Sequence, residues 1–273
     1  MMQRVATWWT ILRISLEERL VYRGDFALGT LMRFLPIVTQ IFLWDAVFTS
    51  ILPRKEIAGY IYEEMVVYYL LTMVTRAFSS MPGLASTIAG QIRSGDVKKY
   101  LTQPVDMMSF LLMGRIAHKL AYYIVAIGPF ALVFFLCRSY FTAGWPDATT
   151  MSAFVVSLLL CFVIGYYLEA CLGLIGFWFL EVSSLLFVYM LFNFFLSGHM
   201  FPLDMLPNPW KTIVQYSPLQ YLAYFPAAVF LKKITGTQLV IGLAVELGWA
   251  LFFIALSRFL FARGVKRYGG YGG

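Results

Sequence analysis

Apolar positions along the 273 residues gather into long runs separated by short clusters of charge, proline and glycine. A hydrocarbon core about 30 Å thick is crossed by about 20 helical residues, and six stretches read as spans. They run from Phe26 to Phe48, Gly59 to Phe78, Phe110 to Cys137, Met151 to Trp178, Val182 to Gly198 and Leu239 to Leu260. Between Met151 and Gly198 only Glu169 and Glu181 are charged. That run is too long for one crossing and long enough for two, with a tight turn near Glu181. No internal repeat is visible, so one membrane domain is expected over 26–262. Residues 1–25 precede it, and a flexible cytoplasmic tail follows over 263–273.

Ahead of the first span, Val5, Trp8, Trp9, Leu12, Leu16 and Leu20 recur at three- and four-residue steps and share one helical face. Tryptophans on that face with arginines around it predict an amphipathic helix in the membrane interface; a soluble amphipathic helix packed on another subunit is the alternative. Arg4, Arg13, Glu17, Glu18, Arg19 and Arg23 interrupt the segment, so it is not read as a cleavable signal.

Two connections are too long to be turns. In Ser79 to Met108, Ser80 is the N-cap candidate, Pro82 stands in the first turn and Gly95 is the stop, which predicts a helix of about three turns. The charged stretch Asp96 to Pro104 follows, and the third span begins after it. Ser197 to Lys233 holds Pro202, Pro207, Pro209, Pro218 and Pro226 among aromatic and leucine residues. Apolar, broken by proline and too short for a full crossing, it reads as a re-entrant or interfacial helical hairpin. A plain exposed loop would leave that apolar surface in water.

Composition agrees with lipid as the solvent. Hydrophobic residues make up 60% and charged residues 13%, against about 25% charged in soluble domains. The chain is thus expected to be an all-α integral membrane protein with six spans. A β-barrel would show short alternating segments instead. With a cytoplasmic N-terminus, one side holds Arg4, Arg13, Arg19, Arg23, Arg76, Arg93, Lys98, Lys99, Arg115, Lys119, Arg258, Arg263, Lys266 and Arg267. The other holds Arg54, Lys55, Arg138, Lys211, Lys232 and Lys233, with Arg33 inside the first span. This bias places both termini in the cytoplasm. The net charge of +7 suits an anionic leaflet, and no basic stripe with interleaved aromatics points to nucleic acid.

Catalytic motifs are lacking. There is no G-x-x-x-x-G-K-[ST], H-E-x-x-H, C-x-x-C or G-x-S-x-G, and only His118 and His199 as histidines. Cys137, Cys161 and Cys171 lie in apolar runs and read as small buried hydrophobes. No metal and no cofactor is expected on this chain. Intramembrane charges are the remaining candidates, since each is costly unless paired or hydrated. Arg33 and Glu169 fall at depths that two long side chains can bridge, which makes them a candidate structural ion pair, with a place on a substrate path as the alternative. Glu246 lies too far from Arg33 for easy pairing. With Asn193 it is a candidate for the translocation path, against a hydrogen-bonded carboxyl that locks two helices.

Taken in order, these pieces resemble the ABC-2 type transporter permeases, the membrane subunits of ATP-driven exporters. The resemblance is carried by the amphipathic N-terminal helix, six spans, Arg93-Ser94-Gly95-Asp96-Val97 with Leu101 and Pro104, and Phe177-Trp178. It continues through Ser197-Gly198, Phe201-Pro202-Leu203, Leu206-Pro207, Ser217-Pro218 and Pro226. The resemblance implies a permease of the bacterial cell inner membrane, paired with a second permease copy or a homologous one and with separately encoded ATPase subunits that hold ATP and Mg. It implies that the cytoplasmic helix with Arg93, Gly95, Asp96, Lys98, Lys99 and Leu101 is a coupling helix seated on the ATPase. It further implies that the hairpin with Gly198, Pro202, Pro207 and Pro218 closes the outer side, and that spans one and five meet the partner permease. An intramembrane lipid-modifying enzyme, which needs clustered acids or histidines, is one alternative. An ATP-independent secondary transporter, which predicts inverted repeats, is the other.

Overall fold

The computed structural model describes residues 2–20, 23–50, 56–142, 144–179 and 181–268. Arg54, Lys55 and the last five residues of the tail lie outside these. The described residues are helical apart from short connections, with one isolated bridge between Ile57 and Tyr60. Three helices are long and apolar enough to cross a membrane: Met107–Leu136, Ala148–Phe177 and Gly236–Arg267; Phe34–Ser50 and Ser183–Leu196 are shorter apolar helices. The chain divides into two compact units, residues 1–70 with 104–144, and residues 71–103 with 145–273.

In the first unit, α1 (Met2–Leu20) and α2 (Arg23–Ser50) both pack on α6 (Met107–Leu136). Leu12 and Leu16 of α1 are half-buried, whereas Trp9 is exposed. The side chains of Val5, Trp8 and Leu20 lie outside the described ones. Phe34 of α2 meets Phe130 of α6 edge-on at 5.1 Å. Towards the far end of α2, the Trp44 indole donates to the Tyr69 hydroxyl at 3.0 Å, and Tyr62 packs edge-on against Phe48 and Tyr140. These rings fasten the start of α3 (Tyr62–Ser79) to α2. Asp106 caps α6, accepting from the Ser109 N–H at 2.8 Å and its hydroxyl at 2.6 Å.

The second unit is organised around α7 (Ala148–Leu174), whose buried residues lie on every side of the helix, the pattern of a central helix rather than an amphipathic one. Along one side run the last turn of α3 and then α4 (Leu84–Arg93). The Cys161 thiol donates to the Thr75 carbonyl at 3.9 Å. A Cβ added at Gly165 would collide with the Ser79 carbonyl, and one at Gly173 would stand 2.7 Å from the Ala85 carbonyl and 2.8 Å from the Ile88 Cβ. Only glycine permits so close an approach, and it lets α4 bury Leu84, Ala85, Ile88 and Ile92.

On another side of α7 lies α11 (Gly236–Arg267). The Ser157 hydroxyl donates to Glu246, the Cys171 thiol to the Phe253 carbonyl, and Phe177 packs against Gly264. Residue numbers rise together along both helices, so they run parallel, and the chain must return between them. Here the fifth span differs from expectation. Helix α8 (Ser183–Leu196) has 14 residues, about 21 Å of rise, short of a core about 30 Å thick. Helix α10 (Tyr224–Phe230) carries the chain further in the same sense. It starts where the Tyr224 N–H donates to the Ser197 carbonyl, and ends where Phe230 packs on Phe154 and Lys232 reaches Asp147 at 3.5 Å. The proline-rich excursion, with α9 (Trp210–Gln215), is inserted between α8 and α10.

Two boundaries also differ. Helix α4 begins after Gly83, not at a Ser80 cap: Gly83 takes φ 72°, and its carbonyl accepts from the Thr87 N–H and hydroxyl. Pro82 disfavours helical geometry at the residue before it, which defers the start. Helix α11 continues to Arg267, so the tail boundary expected at 263 falls inside a helix.

Two outcomes test this packing. Gly165→Ala and Gly173→Val should each destabilise the folded chain in detergent by about 1–3 kcal/mol through overpacking. Gly90→Ala, where nothing lies within 4 Å of an added Cβ, should be neutral or stabilising; thermal unfolding monitored by circular dichroism reads all three. The second concerns pH. The Thr150 hydroxyl and N–H, with the Lys232 ammonium, hold the Asp147 carboxyl down at about 2, below its unfolded value of about 3.9. Its contribution is present above the unfolded value and lost as pH falls towards the folded one. The gap in melting temperature between the natural chain and Asp147→Ala should therefore close between about pH 4 and pH 2.

Candidate functional site

The connection between α3 and α6 is built by two short helices. Gly95 takes φ 85°, a conformation costly for other residues, and its N–H donates to the Ile92 carbonyl at 3.3 Å to close α4. Helix α5 (Lys98–Thr102) follows at once. One side of this pair is buried by Ile88, Ile92, Val97 and Tyr100. On the other side Arg93, Asp96, Lys98, Lys99 and Leu101 are exposed, with Ser86 and Thr87. The expected residues Arg93, Gly95, Asp96, Lys98, Lys99 and Leu101 therefore fall in one short segment, with Gly95 as its structural pivot. Arg93 also reaches Glu181 at 3.3 Å, at the turn between α7 and α8. The Ser183 hydroxyl and N–H, then the Arg93 guanidinium, hold the Glu181 carboxyl below the usual carboxylate range. Both partners are exposed, so the pair orients more than it stabilises.

Glu246 is fully buried at the α7–α11 seam, its Oε1 accepting from Ser157 at 3.1 Å and its Oε2 buried without a protein partner. Asn193 on α8 is half-buried, its side-chain oxygen likewise lacking a partner. The structure does not bring the two together in any recorded bond. Glu169 is half-buried on α7, and the side chain of Arg33 lies outside the described ones. In the hairpin, Gly198 is buried at the turn after α8, and Pro202 precedes a 3-10 turn over Leu203–Met205. The Pro207 carbonyl accepts from the Lys211 N–H, and Pro218 opens a second 3-10 turn capped by Ser217. Asp204 joins the pieces, accepting from Tyr224 at 2.6 Å and pairing with Lys211 at 3.1 Å.

Sequence reasoning missed a contact at the base of the hairpin. Arg76 of α3, grouped above with the inner-face cations, donates to His199 Nε2 at 2.5 Å at the base of the hairpin. The hairpin thus descends to the level of the last turn of α3, a contact between residues far apart in sequence that no local pattern signals. Among the described residues no three His, Cys, Asp or Glu side chains are grouped to hold a metal ion. An open cavity of about 630 Å³ at the end of α11 is lined by Trp178, Phe259, Arg263, Lys266 and Arg267.

The Glu246 bond generates a prediction. Glu246→Gln keeps an acceptor for Ser157 and should change stability by less than about 1 kcal/mol, while Glu246→Ala opens a cavity and orphans Ser157, at about 2–4 kcal/mol. Thermal unfolding in detergent checks both, and equal losses would contradict a bond at this seam.

Among curated proteins, none matches the chain. A family model described as "ABC-2 family transporter protein" matches residues 34–272, from the middle of α2 into the C-terminal tail, and so takes in every site residue above except Arg33. With most of its length covered by that match, and with apolar helices that suit a multi-pass membrane protein, this chain belongs to the ABC-2 transporter family.

Proposed function

We propose that the chain is the permease subunit of an ATP-driven exporter in a bacterial inner membrane, with both termini cytoplasmic. In this reading the chain crosses six times, the fifth crossing being completed by α8 and α10 in succession. Helix α1 lies along the inner leaflet. A second permease copy or relative packs on the exposed apolar residues of α2 and α8, among them Phe42 and Phe187. ATP and Mg reside on separate ATPase subunits.

The observation that carries this reading is the α4–α5 segment. It presents an exposed, charged side while its buried side is held against α7 at Gly173 and against the turn that follows α7 at Gly176. A force on such a segment is delivered to α7 and, through the Glu246 and Phe177 contacts, to α11. Nucleotide can bias the membrane helices only through contacts that differ between two states, and this segment supplies the surface for them. The hairpin, held through Tyr224, Asp204 and Lys211, is the outer closure.

The test uses the chain reconstituted with its ATPase. Gly95→Val forces a β-branched residue into a left-handed conformation, at about 1–2 kcal/mol, and should distort the α4–α5 corner. Transport per ATP hydrolysed should fall several-fold while the complex still assembles. Unchanged coupling in an assembled complex would contradict the assignment, as would failure of any ATPase to co-purify with the natural chain.

A further inference from the structure

The last turns of α11 present two faces. Phe261, Gly264 and Tyr268 lie against Phe177, which sits in the turn after α7. Phe259, Arg263, Lys266 and Arg267 follow one another at helical spacing and share a different face. With Trp178 that face lines the open cavity of about 630 Å³, a volume within the range of pockets that take small ligands.

The cavity is basic without a matching acid. Among the described residues no carboxylate pairs with Arg263, Lys266 or Arg267. Glu181, the acid nearest Trp178 in sequence, is held by Arg93 and by the Ser183 N–H. The Arg263 guanidinium lies over the Phe259 ring, 5.3 Å from its centre. That contact supplies no oxygen acceptor, so the N–H donors of the fork remain for an oxyanion. Trp178, half-buried, adds an indole N–H and an apolar flank.

Depth selects the anion. Helix α11 is 32 residues long, about 48 Å, and from Leu239 to Ser257 its only charge is Glu246. A core about 30 Å thick that begins at Leu239 ends about 20 residues on, near Phe259. Arg263 then lies about 6 Å and Arg267 about 12 Å beyond the core edge, at and just past a headgroup layer about 5–8 Å deep. Tryptophan is enriched at this level, and basic pockets between membrane helices here hold acidic headgroups. A phosphate dissolved in water would gain the charges alone, whereas a lipid also brings its chains to Phe259 and Trp178.

We propose that this cavity binds an anionic phospholipid of the leaflet in which α11 ends. Arg263 donates to the phosphodiester, Lys266 and Arg267 add positive charge on its aqueous side, and Phe259 and Trp178 meet the glycerol and upper acyl chains. The ligand is a resident lipid and not an exported substrate. The site requires only that α11 crosses the membrane; in the permease reading the leaflet is the inner one.

The test is fluorine-19 resonance of the full chain, labelled with 5-fluorotryptophan, in nanodiscs. The Trp178 signal is the one lost in Trp178→Phe. Replacing phosphatidylcholine stepwise by phosphatidylglycerol should move that signal saturably. Inorganic phosphate or glycerol 3-phosphate added to phosphatidylcholine nanodiscs should not. Arg263→Gln should raise the phosphatidylglycerol fraction at half-saturation about fivefold, and Arg263→Gln with Arg267→Gln should abolish the response. Arg138→Gln, which removes an arginine lying over Phe135 in the first unit, should leave it unchanged. A Trp178 signal that ignores phosphatidylglycerol, follows it without saturating, or responds equally to soluble phosphates would overturn the lipid site. So would an equal response in the double variant, or an equal loss in Arg138→Gln. The comparison of the two lipids on the natural chain stands even where a variant does not fold. No ATPase is present, so a negative result removes the site alone, while the permease reading is decided separately by ATPase co-purification and coupling.

Discussion

The second unit depends on how closely the end of α3 and the whole of α4 approach the backbone of α7. Gly165 and Gly173 leave no room for a side chain, because the Ser79 and Ala85 carbonyls occupy that space. Without a strong hydrophobic force between helices in lipid, close backbone approach through small residues is a main source of association. Once this seam is made, α4 is fixed along α7, Gly95 turns the chain into α5, and the charged residues from Arg93 to Lys99 are held at one place. The seam thus determines both the fold of the unit and the position of its most polar exposed segment.

From α7 the remaining elements follow in sequence. The helix is apolar on all sides because it is covered on several: by α3 and α4, by α10, and by α11. Glu246 is tolerated because its position faces Ser157 rather than lipid. The parallel course of α7 and α11 then forces a return between them. A helix broken between α8 and α10 makes that return while opening a gap for the hairpin. That gap brings His199 to Arg76.

Much of this was legible in the sequence, and the omissions have common physical causes. The long apolar runs gave α2, α3, α6 and α7 within a few residues, whereas α11 runs seven residues past the expected Leu260; the length of the run from Met151 to Gly198, enough for two helices, placed the α7–α8 turn near Glu181. Gly95 was readable as a stop because few residues accept its backbone angle. The length of α8 was not readable: its apolar run extends to Gly198, but the helix stops at Leu196 and the crossing continues only in α10, beyond the prolines. The Ser80 cap failed because Pro82 and Gly83 impose a later start. The Ser157–Glu246 bond and the Arg76–His199 contact join positions 89 and 123 residues apart, and counting cations on two sides of a membrane assumes that no loop descends between the helices.

The central claim is that α4 and α7 move as one body, so that whatever acts on the α4–α5 segment acts on the membrane helices. Spin labels at Ser86 on α4 and Phe179 just beyond α7, both exposed, report this directly by double electron–electron resonance in the complex with the proposed ATPase partner. The account predicts the same distance distribution with and without bound nucleotide, while a label pair from Ser86 to the ATPase changes. A distance from Ser86 to Phe179 that shifts with nucleotide would mean that α4 slides on α7, and would contradict it.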